Sequence, residues 1–109
     1  MKSVLFMTLC LSIFRANAYY EDPHEPFPAR NNFTNQSNIT WRYVADVQSE
    51  CERESKKRGL GGFGYSVEAC SFWQKRNGED QCTIVTGLNP NFHTVGHEIR
   101  HCFQGSFHK

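Results

Sequence analysis

His97-Glu98-Ile99-Arg100-His101 is the stretch of this chain whose residue types and spacing best suit chemistry. Two histidines four apart fall about 40° from each other on a helix of 3.6 residues per turn. Both rings can then reach one metal ion, and Glu98 lies a quarter-turn away, beside the open coordination position. This is a zinc-hydrolase layout: imidazoles hold Zn²⁺, a fourth site holds water, and a carboxylate takes the water's proton. Gly105 can end the helix and turn the chain, and His108 follows three residues later as the third ligand. The competing reading is a solvated helix end with scattered histidines. Three fixed positions match by chance in roughly one of several hundred chains this short, and the added glycine and histidine make coincidence rarer.

The helix that must carry these residues is legible around them. Asn89-Pro90-Asn91 supplies a turn and a start, with Thr94 as an alternative N-cap. Val95, Ile99, Cys102 and Phe103 follow the i, i+4, i+7, i+8 spacing of one apolar stripe. His97, His101 and Gln104 are expected on the opposite side, so the imidazoles should point away from the anchoring face. Gly96 costs about 1 kcal/mol relative to Ala inside a helix. The expected compensation is close approach of another element.

The N-terminus has the form of an export signal. Lys2 precedes an apolar run from Val4 to Phe14, and Ala16-Asn17-Ala18 offers small residues for cleavage after Ala18. Residues 1–18 are read as a cleaved signal peptide, too short to stay as a membrane anchor. Cys10 would leave with it, since the large Leu9 before it does not suit lipid attachment. Loss of Lys2 and Arg15 leaves 10 of the 12 basic residues against 11 acidic ones, a net charge of about −1. Nothing in that balance suits a nucleic-acid partner. An extracellular or periplasmic protein or peptide is the expected one.

Cys51, Cys70, Cys82 and Cys102 remain. An even count in a small exported domain reads as two disulfides. A thiolate metal site is the weaker reading, because there is no C-x-x-C pair. Three pairings are possible. The favoured one joins Cys70 to Cys82 across a hairpin and Cys51 to Cys102 between two helices.

Residues 19–37, with Pro23, Pro26 and Pro28, read as an extended or partly disordered arm. His24 within it is expected to be a solvent histidine. Asn32, Asn35 and Asn38 each begin an N-x-Ser/Thr triplet, an acceptor pattern only where a host glycosylates in that way. Ile39, Trp41 and Tyr43 alternate with polar residues, as in a half-buried strand. Asp46 caps a helix over 47–57, whose basic end Lys56-Lys57-Arg58 suits the C-terminal pole. Gly59 stops it. The following Gly-rich run lacks the Lys-Ser/Thr ending of a phosphate loop. A strand over 65–73, a hairpin turn at Asn77-Gly78 and a third strand over 81–86 complete the pattern.

The His97–His101 helix resembles that of zincin metallopeptidases. With Gly105 and His108 it is similar to the metzincin pattern, in the variant spacing H-E-x-x-H-x-x-x-G-x-x-H. A weaker resemblance, carried by Ala69-Cys70, Cys82-Thr83-Ile84, the His-Glu-x-x-His-Cys segment and Gly105-Ser106-Phe107-His108, is to small exported proteins of proteobacterial genomes and mobile elements. The zincin resemblance implies His97, His101 and His108 as zinc ligands, with His93 as runner-up. It implies Glu98 as general base and then proton donor. It also implies an edge strand for substrate, for which 82–86 is the candidate. Tyr43 and Tyr65 are candidates for stabilising an oxyanion, although core packing suits either.

The expected fold is α+β: a small antiparallel sheet on two helices, locked by disulfides, over residues 38–109. The expected function is a secreted or periplasmic zinc-dependent peptidase-like protein. The alternative is a non-catalytic, zinc-stapled binding or exclusion module of the cell envelope.

Overall fold

A computed structural model of the chain describes residues 24–108. The expected signal peptide, its expected cleavage site and Cys10 lie outside the described residues. Residues 28–106 form one compact unit, and residues 24–27 and 107–108 fall in a second. In the second, the rings of Phe107 and His108 stack with centroids 4.7 Å apart.

The larger unit is α+β. Strand β1 (Asn38–Tyr43) is followed by helix α1 (Val47–Lys57), strands β2 (Ala69–Arg76) and β3 (Glu79–Thr86), and helix α2 (Phe92–Gln104). The sheet order is β1-β3-β2, with β3 in the centre. β2 and β3 form the expected antiparallel hairpin. Asn77 and Gly78 both take positive φ, 53° and 79°, as a two-residue hairpin turn requires. β1 differs from expectation: it pairs with β3 in parallel. A parallel partner needs a long connection, and α1 with the following glycine-rich segment supplies it.

Alternation along β3 sends side chains to two cores. Cys51, Cys70, Phe72 and Val85 form one on the α1 side, packed by Val44, Val47, Phe63 and Val67. Cys82, Ile84 and Cys102 form the other on the α2 side, packed by Ile99 and Phe103. Each core contains a disulfide, Cys51–Cys70 in the first and Cys82–Cys102 in the second. This corrects the expected pairing, and the hairpin explains why. Cys70 lies opposite Val85, whereas Cys82 lies opposite Trp73. Their side chains therefore leave the sheet on opposite faces and cannot meet.

The α1 helix begins where its cap predicts, with Asp46 Oδ1 accepting from Ser49 N at 3.0 Å. It ends at Arg58, before Gly59 at φ 74°. A charge network covers this face. Arg42 on β1 reaches Glu50 at 3.2 Å and Glu54 at 3.6 Å, and Arg58 reaches Glu54 at 3.0 Å. Arg53 completes it by pairing with Glu50. The Arg53 hydrogen bond is the main reason the Glu50 carboxyl sits below its ordinary value. Burial pushes Glu54 up, but the hydrogen bond from Arg58 and the charges of Arg58, Lys57 and Arg42 outweigh it and hold its carboxyl below the ordinary value.

On the α2 side, β1 is left more open than its alternation suggests. Ile39, Trp41 and Tyr43 are all exposed. The reason is that α2 packs over β2 and β3. Trp41 is nonetheless fixed in register, its Nε1 donating to Thr86 Oγ1 at 2.9 Å.

Candidate metal centre

Helix α2 presents the motif in helical form. Asn91 is its N-cap, with Oδ1 accepting from Thr94 N at 2.7 Å. The i, i+4 spacing then brings the rings of His97 and His101 to 5.0 Å, centroid to centroid. His97 and His101 present ring nitrogens that could contribute to holding a metal ion, and His108, in the smaller unit, is exposed. His93, the runner-up, is exposed on the first turn of the helix.

His101 does not point away from the anchoring face, contrary to the sequence-based expectation. It is buried. Its imidazole lies flat against the indole of Trp73 on β2, with centroids 5.4 Å apart and planes 7° from parallel. The apolar stripe faces β3 as expected, but α2 also overlies the β2 edge, where Trp73 meets the helix flank. Gln104, placed beside the histidines by the same reasoning, is covered by the preceding segment. Its Nε2 donates to Pro28 O at 2.8 Å and to Asn32 Oδ1 at 3.0 Å. Residues 28–33 are thus held to the end of α2, and Phe33 N donates to Phe103 O at 2.8 Å.

The helix terminus orients His101 as well. Gly105, at φ 62°, donates its N–H to His101 O at 2.9 Å. Its carbonyl lies 2.7 Å from His101 Nδ1. A carbonyl only accepts, so Nδ1 carries the proton. That leaves Nε2 as the coordinating atom, the arrangement in which a second hydrogen bond fixes both tautomer and ring direction of a metal ligand. Gly105 was read as a helix stop. It is also the acceptor that sets the ligand.

Glu98 follows His97 on the helix and is buried, 7% exposed. Among the described residues no buried side-chain nitrogen or oxygen lacks a hydrogen-bond partner. Gly96 has open space where close approach was expected, with nothing within 4 Å of a Cβ built there. The strand proposed for substrate pairing, 82–86, lies within β3, whose two edges are both taken. The sheet edges are β1 and β2. Tyr43 sits on β1, across the sheet from β2, and Tyr65 packs edge-on against Phe63 in the α1 core region. His24 is exposed.

Trp73 is the member of the site that sequence reasoning missed. The available signal was indirect: a two-residue turn at Asn77-Gly78 already places Trp73 opposite Cys82. Comparison with family profiles, with curated proteins and with solved structures returns no match for this chain.

Proposed function

We propose that this protein is a secreted or periplasmic zinc-dependent metallopeptidase-like protein that hydrolyses peptide bonds. The observation that carries the reading is the pair of His97 and His101, their rings one turn apart on α2 with Glu98 between them in the chain, and His108 is the proposed third ligand. Three neutral imidazoles are a catalytic zinc donor set that leaves a fourth position for water.

Zinc in such a site polarises a carbonyl and acidifies bound water. The chain's own part is to hold the imidazoles and to move a proton. His101 is fixed in plane by Gly105 and on one face by Trp73. Glu98 accepts the proton of the attacking water and returns it to the leaving amine. Two disulfides support an oxidising compartment. Among the described residues no helix is long and apolar enough to cross a membrane.

The burial of Glu98 favours a second reading. A carboxylate closed off from solvent suits a zinc-stapled envelope binding or exclusion module in which it only supports the helix. The two readings separate on Glu98→Gln. In the peptidase, this change keeps zinc and fold but lowers hydrolysis of unfolded protein or peptide libraries about 10²–10⁴-fold. A wild-type protein that cleaves nothing, and whose cobalt-substituted form shows four protein ligands, would instead be the binding module.

A further inference from the structure

We propose that Trp73 is a positioning residue of the metal centre, holding His101 so that Nε2 is presented before an ion arrives. The inference rests on the metal-centre reading above. Two contacts constrain the His101 ring. The indole covers one face at 5.4 Å with planes 7° from parallel. The Gly105 carbonyl holds Nδ1 in the ring plane at 2.7 Å. A half-turn about the Cβ–Cγ bond would break the second contact, and tilting would break the first.

The indole also borders Gly105. A Cβ built there would stand 3.5 Å from Trp73 Nε1. Trp73 thus lies beside both the ligand ring and the residue whose carbonyl accepts its hydrogen bond. The sheet places it there by register, opposite Cys82. Cys82 is bonded to Cys102, the residue after His101. One cross-strand pair is therefore tied to two consecutive helix residues, covalently through Cys82 and by ring stacking through Trp73. The disulfide packs the helix with Ile84, Ile99 and Phe103. Trp73, 36% exposed at the sheet edge, lies outside that cluster. Its distinctive contribution is the flat face against His101.

The test uses Trp73→Leu, which keeps apolar bulk without a ring, and Trp73→Phe, which restores a flat face. Zinc affinity is measured by chelator competition, and the His101 tautomer of metal-free protein by long-range ¹H–¹⁵N NMR. Wild-type His101 is expected as the Nδ1–H tautomer. Trp73→Leu should lose about 10–100-fold in zinc affinity, the usual cost of removing a partner behind a metal ligand. Its His101 signals should move toward tautomer averaging, and Trp73→Phe should recover most of both. Unchanged affinity in a folded Trp73→Leu would overturn the proposal. So would a wild-type His101 in the Nε2–H tautomer, a result that needs no variant to fold. A wild type that binds no zinc sinks the metal-centre reading and leaves positioning to the tautomers. A tautomer fixed in wild type and averaged in Trp73→Leu sustains the role, and equal behaviour removes it.

Discussion

Cys102 is bonded to Cys82, so the residue directly after His101 is anchored to the central strand of the sheet. The other disulfide, Cys51–Cys70, lies in the core on the opposite face. The two bridges should therefore have separable effects. Replacing either pair by alanine should cost about 2–4 kcal/mol of stability, read from denaturant midpoints. Only Cys82→Ala with Cys102→Ala should also weaken zinc binding. Equal zinc content in both double variants would show that the second bridge does not support the site.

Metal content should follow the three histidines. The purified wild type should hold about one zinc per chain. His97→Ala and His101→Ala should abolish tight binding, and His108→Ala should weaken it strongly. His93→Ala should leave it unchanged, since His108 rather than His93 is the proposed third ligand. Elemental analysis after dialysis decides this. Retention of zinc by His108→Ala would remove that residue from the ligand set.

Gly96 should be replaceable to advantage. It lies inside α2, and a Cβ there meets nothing within 4 Å. Gly96→Ala should stabilise the protein by up to about 1 kcal/mol through lower unfolded-chain entropy and better helix propensity. A urea titration measures it, and a loss of stability would point to a contact that the fold does not display.

Acid should weaken the α1 face. Glu50 and Glu54 both have carboxyl pKa values below the ordinary 4.5 in the folded protein. The unfolded chain then binds more protons in that range, so stability rises with pH there. The contribution is complete above about pH 4.5 and is lost as pH falls through the lowered folded values. Unfolding midpoints measured from pH 6 down to 3 should show that decline. Glu54→Gln should flatten it, and an unchanged slope in that variant would assign the effect to other carboxylates.

Local signals in the chain located its elements well. Asp46 and Asn91 cap the two helices, and Asn77-Gly78 turns the hairpin, because caps and tight turns depend on residues a few positions apart. The α2 motif was visible for the same reason. What depended on the sheet was harder. The parallel placement of β1 has no local signal, since the two edges of a hairpin offer a third strand similar apolar faces. The burial of His101 followed from where α2 crosses β2, which helical periodicity alone does not contain. The disulfide pairing was legible but needed a step beyond proximity. The turn at Asn77-Gly78 fixes the hairpin register, and the register puts Cys70 and Cys82 on opposite faces.

The order of the four cysteines also bears on biosynthesis. Cys51 joins Cys70 and Cys82 joins Cys102, so the two covalent rings follow one another along the chain without nesting. Each ring closes over a short span, 19 and 20 residues, where the entropic cost of bringing the ends together is modest. A chain that enters an oxidising compartment N-terminus first presents Cys51 and Cys70 there ahead of Cys82. At that stage the cysteines beyond Asp46 on the oxidising side are the correct partners for each other. The nearest wrong partner of Cys70 arrives later, so the order of delivery favours the native connectivity.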